Sequence, residues 1–204
     1  MVLGQQLMVN LVGLMLLLGS DRLAIAQSPP EPVSTPEQEV IESPEQPTEV
    51  PQVLTENLQN YTLPASFSLQ IPQDWSADGA EAERRAVITN YSPDRPEGDT
   101  PQPTDIKTEV MLVSDHPDEF VDREIAAIIS QAYPVRRYTT VEVNERTALR
   151  LWVTDLPQAY AHQIITYVGY GDEGTAKIVT SYNTQSIETD VQIEQIHDSF
   201  ERMF

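Results

Sequence analysis

The chain has no cysteine, and its 204 residues carry only 12 Lys and Arg against 32 Asp and Glu. Without thiols there are no disulfides, no thiolate metal sites, no cysteine nucleophile and no anchorage through a lipidated cysteine. The shortage of cations leaves a formal net charge of −20. That charge repels phosphate backbones and anionic lipid head groups, which argues against nucleic-acid binding and against attachment through a basic face. Partners are expected to be basic, cationic or uncharged. Long hydrophobic runs are lacking too: "LMVNLVGLMLLLG", residues 7–19, is 13 residues long and interrupted by Asn10, short of the roughly 20 needed to span a bilayer. The chain also lacks G-x-S-x-G, a P-loop, H-E-x-x-H and any serine set beside a histidine in a recognisable pattern. It is expected not to be an enzyme and to use no cofactor beyond a weakly held divalent cation.

What is present at the N-terminus reads as an export signal. The apolar run is followed by "LAIAQ", in which Ala24 and Ala26 give a small-x-small pattern, so residues 1–26 are expected to be a signal peptide cleaved after Ala26. No Lys or Arg precedes the run; either the α-amino group supplies the positive charge or the reading frame starts further upstream. The expected address is the periplasm or a thylakoid lumen, with no membrane insertion after cleavage. Residues 27–60 contain seven Glu, no basic residue and repeated prolines. Such a tract buries too little apolar surface to offset its ordering entropy and is read as a disordered, self-repelling tether. That leaves 61–204 for one domain, with 11 Lys and Arg against 24 Asp and Glu.

Within the domain, "FSLQI" at 67–71 alternates apolar and polar residues, the period of a half-buried strand. "AVITNY" (86–91) and "DIKTEVMLVS" (105–114) read as further strands, separated by a Pro- and Gly-rich loop of unusual length. Val121, Ile125, Ile128, Ile129 and Ala132 trace one helical face, with Pro117, Asp118 and Glu119 suited to the first turn. "YTTVEV" and "ALRLWVT" form a hairpin through "NERT", and two more strands follow. A terminal helix carries Ile193, Ile196, Phe200 and Met203 at helical spacing, with Thr189 and Gln192 as a capping box. Ile164 and Val168 oppose Ile165 and Tyr167, so that strand is covered on both sides. The fold expected is α+β: a mainly antiparallel sheet of about seven strands with helices on both faces, an α/β/α sandwich.

"GYGDEG" at 169–174 matches a dinucleotide-binding glycine pattern. Such a loop works only between a strand and a helix, where backbone N–H groups and the helix dipole meet the pyrophosphate. Here β-rich sequence stands on both sides, and Asp172 and Glu173 would repel a phosphate. The segment is read as a hairpin turn.

Three stretches in this order, "FSLQIPQDW", "VNERTALRLWV" and "IVTSYN" leading into "IEQIHDSF", resemble the PsbP-like superfamily. The resemblance covers roughly 61–204. It implies an antiparallel sheet between helices and a lumenal or periplasmic protein that binds other proteins, such as an accessory or assembly factor for photosystem II or another membrane complex; the chain itself is expected to be a monomer. Glu145 stands where many relatives carry glycine in the central hairpin.

Several residues are candidates for contact with a ligand. His116 lies among Asp115, Asp118 and Asp122 at a helix start, a set that offers a divalent cation nitrogen and oxygen donors; a solvated helix cap needs the same residues. The loop carboxylates Asp94, Glu97, Asp99 and Asp105 lack EF-hand spacing but form an acidic loop fit for a weak cation or a basic partner. Arg136 and Arg137, like Arg84 and Arg85, are basic pairs able to seat an acidic segment. The alternative function is accordingly a divalent-cation-binding extracytoplasmic module. Trp75 and Trp152 are expected in the core.

Overall fold

The computed structural model describes residues 57–92, 94–96 and 99–203. The expected signal peptide and nearly all of the expected tether lie outside them, as does Glu97. The first strand, β1 (Leu58–Leu63), begins three residues ahead of the domain start read from the sequence.

The described residues form ten strands and two α-helices in the order β1, β2 (Phe67–Pro72), β3 (Ser76–Ala80), β4 (Arg85–Thr89), β5 (Ile106–Val113), α1 (Pro117–Ser130), β6 (Val135–Val143), β7 (Arg146–Val153), β8 (His162–Gly169), β9 (Thr175–Tyr182), α2 (Ile187–Asp198) and β10 (Glu201–Arg202). Seven strands form one antiparallel sheet in the order β3-β4-β5-β9-β8-β7-β6, and β1-β2-β10 form a second, smaller one. The expected count of seven is right for the main sheet, but its membership differs: β2 belongs to the small sheet and β3 takes the seventh place. The domain is mostly β.

Two apolar clusters define the layers. On one face of the main sheet, Val110, Trp152, Ile164, Val168 and Ile178 pack against Ile193 and Ile196 of α2 and against Phe67 and Leu69 of the small sheet. On the other face, Leu151, Ile165 and Tyr167 pack under Phe120 of α1. The sandwich expectation therefore holds in part: each face carries one helix, but on the α2 side the layer is shared with a sheet. Strand β8 is apolar on both sides because both clusters draw on it, and Trp75 and Trp152 are buried. In α1 the buried residue is Phe120, with Val121 and Ile128 packed beside it; Ile129 stays 69% exposed. The face read from the sequence is rotated because only one flank of this helix meets the sheet. The helix ends at Ser130, and Ala132 lies beyond it at φ 54°. Helix α2 is capped by the Ser186 hydroxyl, which accepts from Thr189 N–H at 3.0 Å, in place of the expected Thr189 box.

"GYGDEG" does join β8 to β9, through a 3-10 turn at Gly171–Glu173. A Cβ at Gly174 (φ 105°) would stand 2.0 Å from the Val113 carbonyl oxygen, so this glycine serves chain packing rather than a cofactor.

Beneath α2 the main sheet carries a buried polar row: Thr108, Thr180, Thr166 and Arg150, from β5, β9, β8 and β7. His197 of α2, fully buried, inserts between two of them, its Nδ1 2.8 Å from Thr166 Oγ1 and its Nε2 2.8 Å from Thr180 Oγ1. Thr180 continues to Thr108 at 2.7 Å. Arg150 Nε–H donates to Thr166 Oγ1 at 2.9 Å, and its Nη2 donates to Asp198 Oδ1 at 2.5 Å. One arrangement of protons satisfies the row: Arg150 to Thr166, Thr166 to Nδ1, Nε2–H to Thr180, Thr180 to Thr108. Burial, with Arg150 adding to it, holds the His197 pKa well below the ordinary value.

Two predictions follow from local geometry. The β6–β7 hairpin turns on Asn144 (φ 46°) and Glu145 (φ 63°), a two-residue loop of the kind that favours glycine in its second place. Glu145→Gly should stabilise the domain by about 1 kcal/mol, seen as a rise of about 2–4 °C in Tm; an unchanged or lower Tm would contradict the strain. His197 is neutral when folded and binds a proton near pH 6.5 when unfolded, so its contribution is complete above that value and declines on acidification. The stability difference between wild type and His197→Gln, from urea unfolding, should shrink below pH 6.5 by up to about 1.4 kcal/mol per pH unit. A pH-independent difference would mean the imidazole is not held neutral.

Candidate functional site

Strands β4 and β5 are joined by the long loop 90–105, and the sequence provides the means of fixing its ends. Asn90 Nδ2–H donates to the Thr104 carbonyl at 2.8 Å, and Asn90 Oδ1 accepts from Ile106 N–H at 2.8 Å. The Thr184 hydroxyl donates to the Pro103 carbonyl at 2.7 Å. Inside the loop, Asp105 is buried, pairs with the Arg95 guanidinium and accepts from Gln102 N–H at 2.6 Å. Burial by itself would raise the Asp105 pKa, but the Arg95 and Gln102 hydrogen bonds outweigh it and the carboxyl lies below its ordinary range. Arg95 also lies 4.5 Å above the centre of the Tyr91 ring.

The loop so held arches beside the sheet and bounds a cleft of about 880 Å³. Its floor is Ser76 and Asp78 of β3, Val87 and Thr89 of β4, and Lys107 of β5. The registers Ser76↔Thr89, Asp78↔Val87 and Thr89↔Lys107 place these side chains on one face, the face that α1 covers further along the sheet. Tyr91, Pro96 and Pro101 form the loop wall. Tyr160, from the segment before β8, closes one end, its hydroxyl 3.2 Å from that of Tyr91. Burial first, then the bond to Tyr91, raises the Tyr160 pKa, so this hydroxyl remains protonated. Lys107 Nζ is 2.7 Å from Glu109 Oε1.

Of the loop carboxylates read from the sequence, Asp99 lines the cleft and Asp94 is exposed. Asp105 is an internal anchor, not a free ligand, because Arg95 occupies it. Of the helix-start set only His116 and Asp118 meet: His116 Nδ1 caps α1 by accepting from Asp118 N–H at 3.4 Å and lies 3.8 Å from Asp118 Oδ2, whereas Asp115 pairs with Arg123 at 2.6 Å and Asp122 is exposed. Among the described residues no three His, Asp or Glu side chains gather as a metal site would require. Three of the four residues in the basic pairs are likewise engaged within the domain. Arg136 pairs with Asp190 at 3.0 Å, Arg137 lies 4.0 Å from the Trp152 ring centre, and Arg85 pairs with Glu109 at 2.5 Å.

The cleft residues missed by sequence reasoning are Tyr91, Arg95 and Tyr160. Arg95 carried a usable signal, a lone cation in an acidic, proline-rich loop. Tyr160 carried none, since its partner lies 69 positions away.

No family model matches the chain, and no curated protein sequence matches it. Among solved structures it is similar to the solution structure of cyanobacterial PsbP from Synechocystis sp. PCC 6803, at a TM-score of 0.43 and 9% identity over 72% of this chain and 92% of that one. It is also similar to the crystal structure of a protein of unknown function from Pseudomonas aeruginosa, at a TM-score of 0.36 and 13% identity over 62% and 84%. These are distant likenesses, and no residue's role is taken from them.

If the Asp105–Arg95 pair holds the loop against the sheet, Asp105→Asn should free it without unfolding the domain. Limited proteolysis should then cut within 92–104 on the order of tenfold faster, while far-UV circular dichroism stays unchanged. Equal cleavage of both proteins would show that Asn90 and the prolines suffice.

Proposed function

We propose that this chain is an exported, non-enzymatic binding domain that seats an extended segment of a protein partner in the cleft beneath loop 90–105. As the motif resemblance implies, its role is that of an accessory or assembly factor for a membrane-associated complex such as photosystem II. The observation that carries the binding part is the state of the charged groups in the cleft. Arg95 is taken by Asp105 and Lys107 by Glu109, and the Tyr160 hydroxyl is held protonated. General acid–base work needs a group poised near the working pH, beside a nucleophile. The cleft offers aromatic and proline walls, hydroxyls and the carboxylates of Asp78 on its floor and Asp99 on its loop side instead. That lining suits contact with an uncharged or basic peptide.

The histidines support the same reading. His197 is enclosed in the sheet–helix network, His116 caps a helix, and His162 lies with its ring centre 5.6 Å from that of Tyr182 and its Nδ1 3.4 Å from Gln185 Nε2. None lines the cleft. The exported address rests on the apolar run at 7–19 and the Ala24/Ala26 pattern.

The test is native affinity purification of the C-terminally tagged full chain from membrane and soluble exported fractions, with mild crosslinking and mass spectrometry. Val87→Arg and Tyr160→Ala serve as cleft variants. A recovered membrane-complex subunit, depleted about tenfold or more in both variants, is the expected result. A partner recovered equally by the variants would remove the cleft from the proposal, and a clean, partnerless protein would remove the binding role itself.

A further inference from the structure

A second surface lies at the opposite edge of the same sheet. Among the described residues, strand β6 is the last strand of the sheet and is paired on one side only. The register with β7 tells which of its backbone groups are free. Val143 and Arg146 flank the two-residue turn and form a hydrogen-bonded pair, so Val141 and Thr139 also bond to β7, while Tyr138, Thr140 and Glu142 direct their N–H and C=O outward. Among the described residues the one further contact there is a 3.3 Å bond from the Thr139 hydroxyl to the Thr140 carbonyl, and that oxygen keeps a second lone pair.

Beside this edge, between β6–β8 and α1, runs a groove of about 420 Å³ lined by Pro117, Val121, Thr140, Leu149 and Tyr167 with Asp118 and Asp122. Apolar surface continues past it, with Tyr138 74% and Ile129 69% exposed. None of the lining residues is basic. Glu142 sits on the same face, opposite Thr147 of the groove. Tyr167 lines the groove with its ring, while its buried hydroxyl has no hydrogen-bond partner among the described residues.

We propose that this groove is a docking site for a basic, extended protein segment that adds to β6 as an eighth strand. Its backbone pairs with Tyr138, Thr140 and Glu142, and its apolar side chains cover Tyr138 and Ile129. Its cations meet Asp118, Asp122 and Glu142. Free edge backbone supplies the pairing, and pockets at alternate side chains supply selectivity. The basic pair Arg136 and Arg137 does not oppose this, because the irregularity between Val135 and Arg137 turns both toward Asp190 and Trp152 on the other face.

The test is selection of a random nine-residue peptide display library against the full chain, followed by fluorescence anisotropy of the enriched peptides. Thr140→Pro removes one outward N–H from an edge strand that tolerates proline; Asp118→Lys with Asp122→Lys reverses the charge at exposed positions and leaves the core alone. Enriched peptides should alternate basic and apolar residues. They should bind about tenfold or more weakly to Thr140→Pro and to the double variant, and should shift the amide resonances of residues 138–142. Three results would overturn the proposal: no enrichment, peptides whose affinity neither variant changes, or β6-mediated self-association in sedimentation that Thr140→Pro abolishes.

Discussion

The hydrogen-bonded row that runs from Arg150 through Thr166, His197 and Thr180 to Thr108 ties four neighbouring strands to the closing helix. A buried hydroxyl or imidazole left unpaired costs about 1–3 kcal/mol, so this row admits few alternatives. If α2 moved by one turn, His197 would lose both its partners, Thr166 and Thr180 would each be one bond short, and Arg150 would lose Asp198 and keep only Thr166. The row therefore fixes the register of α2 on the sheet, and with it the position of the segment that follows. Phe200 then packs 5.6 Å from Phe67, and β10 pairs with β2. The small sheet is held in place through that chain of contacts. A wholly apolar interface would permit sliding, whereas a satisfied polar row specifies one docking.

The same economy governs charge. Of the 11 cations in 61–204, eight form ion pairs within the domain and Arg137 and Arg146 lie over aromatic rings. Few cations are left to oppose the surplus carboxylates at the surface, which gives the domain an acidic exterior and a preference for basic or uncharged partners. Arg150 is the extreme case, buried between strand and helix and answered by Asp198 at the helix end.

How much of this could be read from the sequence depends on how local each signal was. Strands β2, β5, β8 and β9 announce themselves by alternation or by β-branched runs, and the hairpin role of "GYGDEG" followed from the strands around it. Strand β1, "LQNYTL", follows a Pro/Glu tract and is half polar; β3, "SADGA", has no β-branched residue at all. Both are strands because a neighbour supplies their hydrogen bonds, which is tertiary information. Arg136 and Arg137 looked available because a sequence does not show Asp190 or Trp152 beside them. The sequence places His197 in the last helix but not between the two buried threonines it bonds. The cleft, built from β3, β4, β5, a loop and Tyr160, exists only once the sheet order is known.

Sheet geometry accounts for both candidate surfaces lying on one face. Seven strands at about 4.8 Å spacing make a sheet roughly 29 Å wide, whereas a helix about 10 Å across covers two or three of them. On one face α2 and the three-stranded sheet share the work of covering. On the other, among the described residues, α1 is the single covering helix, its buried Phe120 packed with Leu151 of β7 and Ile165 and Tyr167 of β8. The flanks of α1 are left open by arithmetic rather than by accident. Toward β3 the chain answers with the long loop between β4 and β5, clamped by Asn90 and Asp105, and the space left under that loop is the cleft. Toward β6 no segment of the described chain does the same, and the groove is bounded by the helix itself. A fold of this kind carries two recesses of different make, one with a built wall and one with a free strand edge, and each calls for a different manner of binding.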